Sequence, residues 1–131
     1  MKITGERFIP DASLLQDEMG YEHLHRYYSI IPLIKGKAVL DIACGEGYGS
    51  AILAAHAQSV TGADIDQTSI DEANQKYTSA DLPLSFVQAD AALMPFADDS
   101  FDVVVSFETI EHLDAPAQQQ FMQGVKKVLR E

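Results

Sequence analysis

The feature that most constrains the fold is an apolar run that ends in closely spaced glycines, AVLDIACGEGYGS at residues 38–50. The apolar residues at its start predict a buried strand, and glycines follow at three alternate positions beginning with Gly45. Glycines this close together indicate unusual backbone dihedral angles or a close approach to another group. The stretch therefore predicts a strand, a tight turn and a helix that begins near Tyr48. Asp41 would lie at the carboxyl end of the strand, where open parallel sheets bind ligands.

Short apolar strands alternate with helical patterns along the rest of the chain. Three further strands are predicted at residues 59–64, 84–88 and 101–107, and four helices at 21–34, 49–57, 66–77 and from Asp114 onward. This alternation predicts right-handed βαβ units and a three-layer α/β sandwich with a mostly parallel sheet. We expect one structural domain overall, in which residues 1–37 form an N-terminal arm and a capping helix, and residues 38–131 form the ligand-binding part.

The capping helix predicted at 21–34 has one apolar face. That face comprises Leu24, Tyr27, Tyr28, Ile31 and Ile34. Their spacing is that of one side of an amphipathic helix, and a bend is expected at Pro32. Before about Ser13 the chain mixes glycine, proline and charged residues, so no regular structure is expected there.

Two more acidic residues end predicted strands. Asp64 closes the second strand 19 positions after Gly45, a distance that suits a carboxylate accepting hydrogen bonds from a ribose diol. Asp90 follows the third strand. Any one of these carboxylates is equally compatible with a helix cap or a solvated loop, but Asp41, Asp64 and Asp90 recur in one register. A nicotinamide dinucleotide site would share these features, although Ser50 stands where its third glycine would be.

Composition excludes several classes of function. The net charge is −11 and the isoelectric point is about 4.5, which argues against a nucleic-acid partner because phosphate binding depends on clustered Lys and Arg. The single cysteine, Cys44, cannot form an internal disulfide and is interpreted as a small buried residue rather than a nucleophile. No apolar run approaches the roughly 20 residues that span a bilayer, so we expect no membrane partner and a cytoplasmic location.

The glycine turn resembles a known motif. Its order D-x-A-C-G-E-G is similar to motif I of the class I S-adenosylmethionine (SAM)-dependent methyltransferases, specifically a type 11-like domain, whose usual form is D/E-x-G-x-G-x-G. Ala43 takes the place of the first glycine, and since alanine is the smallest replacement we expect the turn to close. The resemblance covers about residues 39–131. It implies a Rossmann-like fold with strand order 3-2-1-4, from which the C-terminal strands of the family are absent.

The same resemblance implies a set of cofactor contacts, carried over position by position. The motif around the methionine part of SAM is matched by Asp41, Ala43, Gly45 and Gly47, and the segment beside the methionine by Phe107. Asp64 matches the residue that binds the ribose, and Ile65 matches the neighbour that packs on adenine. Asp90 and Ala91 match the residues that contact the adenine amino group. Carboxylates at three strand ends suit this cofactor independently, because SAM carries an ammonium, a diol and an exocyclic amine. S-adenosyl-L-homocysteine (SAH) would be the product.

Residues 106–113, SFETIEHL, match the motif IV segment beside the methyl acceptor. Glu108 and His112 are therefore the candidate catalytic residues, where any essential base is expected. Glu108, Glu111 and His112 also form E-x-x-E-H, similar to the metal motif of some RNA-end and quinone-precursor O-methyltransferases. The RNA-end enzymes add a further histidine, and none follows His112 here, so acceptor binding or capping is favoured over a metal.

The leading hypothesis is thus a SAM-dependent methyltransferase acting on a small molecule or a saccharide. GERFIP followed by YEHLHRY resembles a cap found on methyltransferases encoded with glycan and surface-polysaccharide genes. One alternative is a SAM-binding module without turnover, because the chain stops at Glu131, where the family continues into strands that complete the acceptor pocket. The other is a nicotinamide-dependent oxidoreductase, which leaves QADA and SFETIEH unexplained.

The strand order implied by the resemblance predicts an open edge at the fourth strand. Its run of valines at 103–105 has no Lys or Pro to prevent pairing with another chain. We therefore expect the chain to self-associate, most simply as a homodimer.

Overall fold

The computed structural model describes residues 18–77, 81–107 and 112–130. These described residues form five helices and four strands. The elements are α1 (Glu18–Ser29), α2 (Ile31–Ile34), β1 (Ala38–Ile42), α3 (Tyr48–Ala54), β2 (Ser59–Asp64), α4 (Gln67–Tyr77), β3 (Leu84–Gln88), β4 (Val103–Ser106) and α5 (Ala115–Val128). The predicted bounds of β2 and β3 are confirmed.

The four strands form one parallel sheet in the order β3-β2-β1-β4, which confirms the predicted α/β class and strand order. Val39 of β1 lies beside Val60 on one side and Val103 on the other, so β1 is central. All five residues of β1 are buried, as expected for a strand covered on both faces.

The core lies on the two faces of the sheet, because successive side chains of a strand point to opposite sides. On one face Val39 packs with Tyr27, Ile34 and Leu53 from the helices before and after β1. On the other face Leu40 belongs to the apolar cluster completed by side chains of α5. The sheet is therefore the middle layer of a three-layer sandwich.

The capping helix differs from the sequence prediction. It consists of two helices, separated at Ile30, and Pro32 occupies the first turn of the short α2, where proline is tolerated. Tyr27 is 2% exposed, whereas Tyr28, predicted on the same apolar face, is 55% exposed. Adjacent residues of a helix point in directions about 100° apart, so α1 packs Tyr27 on the body and leaves Tyr28 outside. The predicted arm at residues 1–17 lies outside the described residues.

Helix boundaries depend on side-chain caps. Asp114 caps α5, its carboxylate accepting a hydrogen bond of 2.9 Å from the Ala117 N–H, as predicted. Asp66 precedes α4 and accepts a hydrogen bond of 3.0 Å from the Thr68 N–H. The helix predicted at 49–57 is shorter than expected and ends at Ala54.

Strand β4 is an edge strand among the described residues and is shorter than the predicted 101–107. Before it begins, Phe101 forms an isolated parallel bridge with Leu129. The Arg130 N–H donates to the Phe101 carbonyl at 2.8 Å. The last described residues therefore pair with the chain just before the amino end of β4.

Candidate functional site

A cleft opens at the carboxyl ends of β1, β2 and β3, opposite the segment that leads into α5. Its volume is about 310 Å³. The lining residues are Ile42, Ala43, Asp64, Ile65, Asp66, Ala89, Asp90, Ala91, His112 and Leu113. Many residues predicted from separate stretches of sequence are thus brought to one cleft, at the sheet edge where open α/β folds bind ligands.

Asp64 is the last residue of β2, and its carboxylate is fixed by backbone donors. One oxygen accepts a hydrogen bond of 2.9 Å from the Gly45 N–H, and the other accepts one of 2.9 Å from the Asp66 N–H. Each carboxylate oxygen has further lone pairs. Asp64 therefore connects the glycine turn to β2 and keeps acceptor capacity toward the cleft.

Ile65 is 62% exposed although it is apolar. The Gln88 side chain donates a hydrogen bond of 3.0 Å to the Ile65 carbonyl and so ties this loop to the end of β3. Asp90 stands after β3, where its carboxylate accepts 2.8 Å from the Ala92 N–H. The cleft thus places one exposed aliphatic side chain between two carboxylates, a pattern that suits a flat ring with polar edges.

The glycine turn has a left-handed backbone at alternate positions. Ala43 has a φ of 62° and Gly47 a φ of 92°. The turn therefore closes with alanine at the first position, as expected, although a left-handed conformation costs a residue with a Cβ atom about 1 kcal/mol or more. At Gly47 an added Cβ would also lie 2.6 Å from the Phe86 ring, so packing within the chain requires this glycine.

Asp41 lies behind the turn and is fully buried. The Ser50 hydroxyl donates to its carboxylate at 2.7 Å, and the Tyr27 hydroxyl donates at 3.3 Å. Burial raises the pKa of Asp41 to about 7, an effect that these two hydroxyl donors partly oppose. Asp41, Gly45 and Gly47 do not line the cleft, so any contact of theirs with a ligand there stays a prediction.

Sequence reasoning missed Tyr27 and Ser50 as partners of Asp41. A signal for Ser50 existed, because a hydroxyl residue stood at a position where glycine was expected. Cys44, beside this cluster, is buried, and burial raises the pKa of its thiol far above the usual value. The thiol therefore stays protonated, in agreement with the interpretation that it is not a nucleophile.

The motif IV segment is described in part. Glu108 and Glu111 lie outside the described residues, whereas His112 is exposed and lines the cleft. His112 also lines a second, adjoining cleft of about 500 Å³ beside the start of α5. Phe107 packs edge-on against Tyr27 with ring centroids 4.9 Å apart, next to the glycine turn rather than in the first cleft.

Metal-binding and membrane-spanning features are described here for residues 18–77, 81–107 and 112–130. No group of three or more His, Cys, Asp or Glu side chains in them converges on a point where a metal ion could bind. None of the helices there combines the length and apolar character that a bilayer span needs.

The residues present fit the cofactor that the sequence motif implies. The carboxylate of Asp64 could accept from a diol, the exposed Ile65 could cover one face of an adenine, and Asp90 with the Ala91 backbone could meet its polar edge. The glycine turn ties to this cleft through the 2.9 Å hydrogen bond between Gly45 and Asp64. An elongated ligand with a nucleoside at one end therefore suits this sheet edge.

Comparison with known proteins points in the same direction. The family described as methyltransferase domain matches residues 39–131. A Mycobacterium tuberculosis protein named "Probable S-adenosylmethionine-dependent methyltransferase" is 35% identical over 130 residues, 99% of this chain and 45% of that protein. A second relative from that species, named phthiotriol/phenolphthiotriol dimycocerosates methyltransferase, is 35% identical over 119 residues, 87% of this chain and 42% of that protein. The chain spans less than half the length of either relative.

Solved structures share the fold. A crystal structure of a protein from Pyrococcus horikoshii matches with a TM-score of 0.72 and 29% identity. The match covers 87% of this chain and 55% of that one. The sheet and its helices therefore correspond to part of a larger known architecture.

Proposed function

The chain belongs to the class I SAM-dependent methyltransferases, and we propose that it binds SAM at the carboxyl edge of its sheet and serves methyl transfer to a small molecule or a saccharide. The observation that carries the proposal is the convergence of Asp64, Ile65 and Asp90 on one cleft. We assign the ribose to Asp64, one adenine face to Ile65, and the adenine amino edge to Asp90 and the Ala91 backbone. In this proposal SAH is the product.

The methionine part of SAM is assigned to the glycine turn. Ala43, Gly45 and Gly47 would approach it with backbone groups, and Phe107 would flank it. Asp41 would act from behind the turn, because its carboxylate is fully buried and fixes Ser50 and Tyr27. When bound, SAM supplies an already activated methyl group.

The chemical contribution of the chain is then mainly orientation. Holding the cofactor and acceptor in line supplies much of the rate enhancement of such a transfer. A base is needed only when the acceptor is a hydroxyl or an amine that must lose a proton. Glu108 and His112 are the proposed residues for that step and for contact with the acceptor. Replacement of both by Gln should reduce turnover of the complete protein, and unchanged turnover would assign them a structural role.

Two resemblances to other methyltransferases bear on the class of methyl acceptor. The N-terminal resemblance to caps of glycan-associated methyltransferases favours a saccharide, whereas one relative is named for phthiotriol and phenolphthiotriol dimycocerosates. Both are compatible with an acidic protein and with a cytoplasmic location. A turnover assay of the complete protein with bound SAM tests methyl transfer directly, and binding of SAM without turnover would contradict this part of the proposal.

Calorimetric titration with SAH and with NADH, side by side, tests the cofactor assignment. We expect saturable binding of SAH and none of NADH. Binding of NADH alone would favour the oxidoreductase alternative and contradict the proposal. Binding of neither would contradict a cofactor site in this chain.

We also propose that the 131-residue chain self-associates. Strand β4 pairs with β1 on one side, and Val103–Ser106 has no strand on its other side within the described ranges. An open apolar edge of this kind favours pairing with a second chain. Light scattering at micromolar concentration should give twice the monomer mass, and a stable monomer would contradict this expectation.

A further inference from the structure

Tyr27 of α1 contacts residues on both sides of the glycine turn, Asp41 of β1 and Gly49 of α3. Its side chain is 2% exposed, and its hydroxyl donates to both carboxylate oxygens of Asp41, at 3.3 and 3.4 Å. The two residues are 14 positions apart and belong to different elements, α1 and β1. Tyr27 therefore ties the capping helix to the central strand at the point where the turn begins.

The Tyr27 ring makes a second set of contacts with the elements around the site. A Cβ atom added to Gly49 would lie 2.1 Å from the ring, so the ring rests directly on the first turn of α3. Its centroid is 5.7 Å from that of Tyr48 and 4.9 Å from that of Phe107, both in edge-on geometry. One side chain thus contacts β1 just before the glycine turn, α3 just after it, and Phe107, which follows β4.

We infer that Tyr27 is a positioning residue of the cofactor site. Through its hydroxyl on Asp41 and its ring on Gly49, it holds the glycine turn in the shape to which the methionine part of the cofactor binds. The inference rests on the proposed function, since it names a residue that acts on the proposed site from outside the cleft. It also predicts that displacement of α1 weakens cofactor binding.

The hydroxyl contact gives the inference a signature of its own. The hydroxyls of Tyr27 and Ser50 donate to the carboxylate and therefore favour its ionised form, while Asp64 and the Cys44 thiol are the other titratable groups acting on it. Loss of the Tyr27 hydroxyl leaves the ring contacts in place. Its effect should therefore be large where Asp41 is ionised and small where Asp41 is protonated.

The experiment compares Tyr27→Phe with Tyr28→Phe, a matched control at the neighbouring, exposed tyrosine. SAH affinity is measured by calorimetry at about pH 6 and about pH 8.5, below and above the titration range of Asp41. We expect Tyr27→Phe to weaken SAH binding roughly tenfold at the higher pH and less at the lower pH. Tyr28→Phe should match the wild type at both. Ser50→Ala removes the other donor and should show the same pH dependence as Tyr27→Phe.

The outcomes separate this inference from the proposed function. If the wild-type chain binds SAH and Tyr27→Phe binds it with the same affinity, the inference is wrong and the proposed function is unaffected. An equal loss of SAH affinity in Tyr27→Phe at both pH values would show that Tyr27 does not act through the Asp41 carboxylate. Failure of the wild-type chain to bind SAH would overturn the proposed function and this inference with it. Circular dichroism of each variant confirms that the fold is kept.

Discussion

Two carboxylates near the carboxyl ends of neighbouring strands, Asp41 on β1 and Asp64 on β2, have opposite surroundings. Asp41 is fully buried, and its carboxylate accepts from two hydroxyls. Asp64 is half-buried, lines the cleft, and its carboxylate accepts from two backbone N–H groups. Similar positions in the sequence therefore serve different purposes, one in the internal support of the glycine turn and one in the cleft itself.

The difference follows from position within each strand. Asp41 precedes Ile42, the last residue of the central strand, and helices cover both faces of that strand. Asp64 is itself the last residue of β2 and projects where the sheet ends. Asp41 lies opposite Gly62 in the sheet, so Asp64 stands two residues further along on the same face, past the last paired residue of β1. An acidic residue near a strand end thus predicts a ligand contact only when its exposure is known.

The largest expected effect is a pH dependence of stability that belongs to Asp41. Its pKa is about 7 in the folded chain and near 3.8 ordinarily, so the folded state binds this proton more tightly. Wild-type protein therefore loses stability from this group as the pH rises from about 4 to about 7. Asp41→Asn does not titrate, so its unfolding free energy relative to wild type should rise by about 4 kcal/mol between pH 4 and pH 8.

Chemical denaturation of both proteins across that range measures the difference. A difference that does not change with pH would show that burial does not raise the pKa of Asp41. The contrast with Asp64 would then disappear.

The second expected effect concerns the packing that buries Asp41. Gly49→Ala would place a Cβ atom 2.1 Å from the Tyr27 ring, and we expect a loss of about 2 to 3 kcal/mol in unfolding free energy. Gly124→Ala, also in a helix, is the matched control, since the close contact of its Cβ, at 2.6 Å, is with the terminal methyl of the flexible Met94 side chain. The control should stay within about 1 kcal/mol of wild type, because alanine also favours the helix. Thermal denaturation compares the two, and equal losses would contradict a tight Tyr27 contact.

The third effect tests the cleft side of the comparison. Asp64→Ala removes the proposed acceptor for the ribose diol and the anchor of the Gly45 N–H, and should cost about 1 to 3 kcal/mol of SAH affinity. Asp71→Ala, on the exposed surface of α4, serves as the control and should bind SAH as the wild type does. Unchanged SAH affinity in Asp64→Ala, measured by calorimetry, would remove the ribose assignment.

The smallest expected effect is at Ala43, which lies between Asp41 and Asp64 in the sequence. Its φ of 62° is one that glycine adopts without strain, so Ala43→Gly should raise the unfolding free energy by about 1 kcal/mol. SAH affinity should change less than in Asp64→Ala, since the backbone path of the turn is kept. Denaturant titration checks the gain, and a loss of stability would show that the turn does not need a left-handed residue at this position.

Much of the fold could be predicted because it depends on local patterns. The strands at 59–64 and 84–88 and the cap at Asp114 follow from apolar runs and turn residues that act over a few positions. The apolar face of the capping helix was predicted only in part. Spacing alone placed Tyr27 and Tyr28 on one face, whereas packing buried the first and exposed the second.

The candidate site shows the same division. Asp64 and Asp90 could be predicted to lie together because parallel strands bring their carboxyl ends to one edge of the sheet, whereas Ile65 was implied by the family resemblance. The partners of Asp41 could not, because Tyr27 comes from a helix before the strand and Ser50 from a helix after it. Only the mutual packing of those elements decides which hydroxyls reach the carboxylate.

Local sequence patterns specify the succession of strands and helices along the chain, the closure of the glycine turn and the acidic residues near the strand ends. These depend on side-chain period, on the few residues that accept a left-handed backbone and on chain connectivity. Only tertiary packing buries Asp41 beneath Tyr27 and leaves Asp64 lining the cleft. The physical reason is that solvent exposure is set by whatever covers a side chain, and the cover of Asp41 comes from segments whose approach no local pattern specifies.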